Sequence, residues 1–136
     1  MKFGEMTSVS GIAFYASELS GILGLAYESI SQDQVPTFLD SSDAATKDFA
    51  FYLKNNPEDS YMTLPGIDPS VMSMDTLQFH NVVEKKYWSL KFTQIRQGIN
   101  PISFPDGLKA VIDSGTSAIV ADENIVNALI EGIEVA

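Results

Sequence analysis

The sequence predicts an all-β fold with two short helices. Three observations carry that reading. Short apolar and aromatic runs recur: FAFYL at 49–53, YMTL at 61–64, TLQFHNVV at 76–83, YWSLKFTQI at 87–95 and AVI at 110–112. Strings rich in Asn, Asp, Pro, Ser and Gly separate them, as in NNPEDS at 55–60, PGIDPS at 65–70 and INPISFPDG at 99–107, and such strings favour turns. Helical periodicity is confined to ADENIVNALIEGI at the end and to a shorter candidate in PTFLDSSDAATK.

In chain order, residues 2–16 read as short strands joined by turns, with Gly4 and Gly11 as punctuation. SGILGLAY at 20–27 reads as a buried strand whose Gly21 and Gly24 let a neighbour approach. A first helix is expected from Pro36, a residue tolerated in a first turn, with Phe38 and Leu39 inward. FAFYL reads as a buried strand, NNPEDS as a hairpin turn and YMTL as the returning strand. The main internal boundary falls near PGIDPS. TLQFHNVV and YWSLKFTQI are strands, the second alternating Trp88, Leu90 and Phe92 against Ser89, Lys91 and Thr93. INPISFPDG is a loop or hairpin tip, and AVI is a short strand stopping at Asp113. The last helix is capped by Asp122 and turns Ile125, Val126, Leu129, Ile130 and Ile133 to one face.

The composition excludes several function classes. The chain has 136 residues, 45% of them hydrophobic and 19% charged, which is the balance of a folded chain rather than a disordered one. Its length suits one core or part of a larger one. The net charge is −10, and a chain this acidic repels phosphate backbones, so no nucleic-acid partner is expected. There is no cysteine and one histidine, His80, so neither a disulfide frame nor a metal site is expected. No apolar run is long enough to span a bilayer, and MKFGEMTSVS has no apolar core of a signal peptide. No Asn-x-Ser/Thr acceptor occurs.

The string AVIDSGTSAIV at 110–120 is the one most suited to chemistry. An apolar strand delivers Asp113 into a tight turn. Gly115 permits a close approach and Thr116 offers a hydroxyl and an N–H to the carboxylate. Apolar flanks place the acid between buried segments, where it must be hydrogen-bonded or paired. The rival reading of Asp-Ser-Gly is an ordinary surface turn. A serine hydrolase built on Ser114 is disfavoured, because position 112 is Ile where a nucleophile elbow needs glycine.

AVIDSGTSAIV resembles the second active-site motif of the pepsin-like aspartic proteases, hydrophobic-hydrophobic-Asp-Thr/Ser-Gly-Thr-Ser. Other segments resemble the same family in the same order. SGILGLAY is similar to its DGILGLAY strand, FAFYL to its FSVYL strand and LPGID to its GGID segment. YWSLKFTQI is similar to its YW strand before the catalytic loop. The resemblance runs from about Phe3 to Ala136 and implies a partial bilobal pepsin-like fold. Residues 1–70 would be the last part of the first lobe, and residues 71–136 the first part of the second.

By the same resemblance the activity is that of an aspartic endopeptidase. Two facing carboxylates share a proton, activate a water and need no cofactor and no metal. Asp113 is implied as one of the two. Gly115 and Thr116 would orient it and the substrate backbone. Tyr87 and Val111 would line a primed-side pocket, and Leu19 and Ile22 the main unprimed pocket; plain core packing is the alternative role of these four. The partner is a peptide or protein substrate. The resemblance also implies a secreted or lysosomal/vacuolar setting.

The departures from the family are specific. Only one Asp-Ser/Thr-Gly motif occurs, Ser20 stands where the family has Asp, and Leu64-Pro65 replaces a Gly-containing pair. The 136 residues alone are therefore expected to be inactive and to fold poorly, with open strand edges. The alternative is a degenerate, non-catalytic remnant that binds peptides. Pairing of two Asp113 across a dimer, as in retroviral proteases, is disfavoured because those subunits each hold a complete lobe.

Overall fold

The computed structural model describes residues 2–8 and 20–131. They form two compact units, divided between Phe79 and His80. Among these residues the architecture is short antiparallel strands in small sheets, with two α-helices and several single 3₁₀ turns. The predicted all-β class with two short helices is the one observed.

In the first unit, α1 (Phe38–Ser41) starts two residues later than Pro36. The reason is a capping box. Thr37 accepts the Asp40 N–H at 3.2 Å, and the Asp40 carboxylate accepts the Thr37 N–H at 3.0 Å. Leu39 is buried and Phe38 half-buried, as the helix reading requires. FAFYL and YMTL become β1 (Ala50–Tyr52) and β2 (Tyr61–Thr63), paired with Tyr52 opposite Tyr61, but FAFYL is not the buried strand expected, since Phe51 and Leu53 are exposed. The Tyr52 and Tyr61 rings lie 5.2 Å apart, a cross-strand aromatic pair that pins the register. The loop between them contains the turn Pro57–Asp59 and is tied by the Lys54 N–H to Ser60 Oγ at 2.9 Å.

Two strand expectations fail in this unit. SGILGLAY forms no strand, and Ile22 and Leu23 are 73% and 52% exposed. A strand needs a ladder partner for its N–H and C=O groups, and no described strand pairs with 20–27. Residues 2–8 also form none, and the rest of the 2–16 reading lies outside the described residues.

In the second unit, β3 (Val82–Lys85), β4 (Trp88–Lys91) and β7 (Lys109–Val111) form one sheet in the order β3-β4-β7. TLQFHNVV is thus strand only at Val82 and Val83: Thr76 closes the 3₁₀ turn Met74–Thr76, and residues 77–81 pair with no described strand. YWSLKFTQI divides into β4 and the start of β5 (Ile95–Gln97). β5 pairs with β6 (Asn100–Ile102). Gly98, at φ 59°, supplies the left-handed residue that this two-residue hairpin turn requires. Trp88, Leu90 and Phe92 share one face, and Phe92 meets Phe104 edge-on at 4.8 Å. On the other face, Ser89 is 4% exposed, lying between Glu84 and Val111 in register.

Glu84 ties β3 to β7 across the central strand, 2.8 Å from Lys109, and also meets Lys86 at 2.9 Å. Hydrogen bonds from the two ammonium groups pull its carboxyl down to about 2. A depressed carboxylate stabilises the fold above its ordinary value of 4.5, and the contribution fades as pH falls toward 2. Glu84→Gln is expected to flatten the acid-unfolding curve of the second unit across that window. Trp88 fluorescence would read the change, which is modest because the pairs are exposed.

α2 (Glu123–Ile130) lies against β6; Asp122 occupies its N-cap position, but the expected side-chain capping hydrogen bond is not made. Ile125 is buried at 4% and Val126 and Leu129 are half-buried, but Ile130 is 57% exposed, so the inward face is narrower than predicted. Ile133 lies outside the described residues. Gln97 finishes the helix: its amide donates to the Leu129 carbonyl at 2.9 Å and the Glu131 carbonyl at 2.8 Å, satisfying two end carbonyls.

Candidate active site

Among the described strands, β7 is held by β4 on one side only, with Ser89 opposite Val111 and Leu90 opposite Ala110. The Ile112 N–H donates to the Trp88 carbonyl at 3.1 Å. The ladder therefore continues one residue past the strand before the chain turns at Asp113. The Thr116 N–H returns to the Asp113 carbonyl at 3.2 Å, closing a four-residue turn over Asp113-Ser114-Gly115-Thr116.

The Asp113 carboxylate folds over this turn, and each oxygen has its own donor. The Gly115 N–H reaches Oδ1 at 2.9 Å and the Thr116 hydroxyl reaches Oδ2 at 2.5 Å. The hydroxyl first, then the amide, hold the carboxyl below the usual aspartate range, while slight desolvation opposes them. A β-carbon at Gly115 would stand 3.2 Å from Oδ1. Close approach of the carboxylate, rather than left-handed backbone, is what makes glycine fit here.

Thr116→Val removes the stronger donor. The Asp113 midpoint is expected to rise toward the ordinary value of 3.8, whereas Thr116→Ser keeps it low. Carboxyl ¹³C titration by NMR distinguishes the two outcomes.

The expected burial is corrected by the structure. Asp113 is exposed, and its flanks Ile112, Ile119 and Val120 are 62%, 78% and 81% exposed. β7 is an edge strand among those described, and residues 117–121 form no strand to cover it. The carboxylate is thus ordered by its own loop and not by a surrounding cleft.

Among the other sequence-predicted residues, Tyr87 sits in the two-residue turn between β3 and β4 and is 51% exposed. It precedes Trp88, whose carbonyl anchors Ile112. Tyr87, Val111 (49% exposed), Asp113, Gly115 and Thr116 therefore gather at one end of the same sheet. Ile22 belongs to the first unit, and Leu19 lies outside the described residues. Glu84 and Lys109, which brace this sheet, were invisible to spacing arguments. Their separation of 25 positions becomes a contact only once the register is known. Among the described residues no group of three or more acidic or imidazole side chains is arranged to hold a metal ion, and no helix is long and apolar enough to cross a membrane.

Comparison with known proteins gives a consistent result. The family described as eukaryotic aspartyl protease matches residues 1–136. Cathepsin D of Chionodraco hamatus is 34% identical over 138 residues, covering 96% of this chain and 35% of its own length. Human cathepsin D is 33% identical over 138 residues, covering 96% and 33%. Cathepsin E of Oryctolagus cuniculus is 34% identical over 125 residues, covering 87% and 31%. The chain spans about a third of the length of the curated relatives it matches.

Proposed function

Because the chain belongs to the eukaryotic aspartyl protease family, we propose that Asp113 is one of two carboxylates that hydrolyse peptide bonds by activating water. One observation carries this reading: both oxygens of Asp113 are held by donors from its own loop, at the end of a strand. A carboxylate so fixed can face a second one at a set distance. Like charges that close cannot both ionise, so the pair retains one proton. The ionised member takes a proton from water as it attacks the scissile carbonyl. The protonated member gives its proton to the carbonyl oxygen, forming a tetrahedral diol; the member that took the water proton then passes it to the leaving amine as the C–N bond breaks, and the first member regains a proton from a diol hydroxyl as the carbonyl re-forms. The pair titrates as a unit, so neither role belongs to Asp113 alone.

In this reading Gly115 and Thr116 orient the acid and the substrate backbone. Tyr87 and Val111 line the primed side, and Leu19 and Ile22 the unprimed side. Residues 1–70 end the first lobe and residues 71–136 open the second. The 136 residues contain a single Asp-Ser/Thr-Gly motif, so by themselves they are inactive. The same count favours a second reading, a remnant that binds peptides without cutting them. The test is acid-pH cleavage of an unfolded protein substrate, run on the 136-residue chain and on a protein that joins it to a second Asp-Thr-Gly motif. Cleavage by the longer protein alone supports the dyad. Cleavage by neither supports the remnant.

A further inference from the structure

The first unit contains an apolar hollow of about 310 Å³ beside the β1–β2 hairpin, with Phe51, Ile67, Val71, Met72 and Leu77 among its walls. Asp68 lies on its rim and accepts three hydrogen bonds. Oδ2 accepts the Tyr61 hydroxyl at 2.8 Å. Oδ1 accepts the Ser70 N–H at 2.8 Å and the Ser70 hydroxyl at 2.6 Å. Tyr61 belongs to β2, whereas Ile67 and Val71 belong to the turn that follows. One carboxylate thus fastens two walls of the hollow to the hairpin.

We propose that Asp68 and Tyr61 form an acid-released latch that holds the 65–71 turn, and with it Ile67 and Val71, against the hollow. Three other hydrogen bonds hold the turn and none titrates: the Gly66 N–H to the Asp48 carbonyl at 2.9 Å, Thr63 Oγ1 to the Gly66 carbonyl at 2.7 Å and, within the turn, the Val71 N–H to the Asp68 carbonyl at 3.4 Å. The first two keep Gly66 in place, so release affects the Ile67–Val71 part of the turn beyond it. The ionisable neighbours are few. Tyr52 stacks on Tyr61, Lys54 stands 5.5 Å over the Tyr52 ring, and the Asp48 carboxylate faces Gly66. The remaining walls of the hollow carry no titratable group.

The direction of the effect follows from the donors. Hydrogen bonds from Ser70 and Tyr61 hold the Asp68 carboxyl below its ordinary value of 3.8. The same contact pushes the Tyr61 hydroxyl above 10.0. The latch is therefore closed from the ordinary aspartate range through neutrality. It is lost as pH falls through the lowered Asp68 midpoint, and again as pH rises through the raised Tyr61 midpoint.

Carboxyl and methyl NMR of the full 136-residue chain tests this. The Ile67 and Val71 methyl signals are expected to move with the Asp68 carboxyl, at a midpoint below the ordinary aspartate value of 3.8. Tyr61→Phe should return that midpoint part of the way toward the ordinary value, and Asp68→Asn should remove the methyl step. General acid unfolding would persist in Asp68→Asn, so loss of the methyl step in that variant excludes it. Methyl signals that ignore the Asp68 titration, a midpoint unchanged by Tyr61→Phe, or a methyl step that survives Asp68→Asn would overturn the proposal.

Discussion

Asp113→Asn is expected to lower kcat for acid-pH peptide cleavage by about 10⁴-fold, the upper end for loss of a positioned acid–base group. The parent protein for this measurement must carry the complementary carboxylate. Asn matches Asp in size but cannot share a proton at the working pH, and its amide nitrogen cannot accept a hydrogen bond. One of the two loop donors, the Gly115 N–H or the Thr116 hydroxyl, then faces a donor instead of an oxygen. The loop is exposed, so water can satisfy the displaced group and folding should be little affected. Circular dichroism should be unchanged while cleavage disappears. An Asp113→Asn variant within about tenfold of its parent would remove Asp113 from the chemistry, since general acid–base groups contribute at least about 10²-fold.

The second large effect is on stability. Ile125→Ala is expected to destabilise the second unit by about 2–4 kcal/mol, the range for truncating a buried aliphatic side chain. Ile125 is 4% exposed, and Leu39, in the other unit, is the other buried apolar residue among those described. A core this thin has little reserve, because whole domains are stable by only about 5–15 kcal/mol. Urea titration followed by Trp88 fluorescence reads the second unit. Ile130→Ala is the matched control: that side chain is 57% exposed, so its truncation should shift stability by about 0.5 kcal/mol or less. Equal effects of the two substitutions would show that α2 does not dock through Ile125.

What could be read in advance was what local chemistry decides. The FAFYL–YMTL hairpin was legible because aromatic side chains favour strands and NNPEDS can only turn. The Asp113 turn was legible because its hydrogen bonds close within four residues. The inward side of α1, Phe38 and Leu39, was legible in a helix read from Pro36; the Thr37 cap that starts it two residues later was not. What depends on distant partners was not legible. SGILGLAY has a strand's composition, yet no described strand pairs with it. The flanks of Asp113 are as apolar as a core, yet they lie open. The braces Glu84–Lys109 and Gln97–Leu129 join positions 25 and 32 apart, and no local pattern announces them.

The free edge of β7 among the described strands also bears on how this chain behaves in a test tube. Its outward amides and carbonyls, next to the bare side chains of Val111 and Ile112, are a template onto which another copy could add a strand. At neutral pH the ten excess negative charges keep copies apart. Near the isoelectric point of about 4.2 that repulsion vanishes while the sticky rim remains. Acidic buffers, the very conditions in which such chemistry would be assayed, are therefore where colloidal loss of the isolated polypeptide is greatest, and salt-poor neutral solutions are where it keeps best.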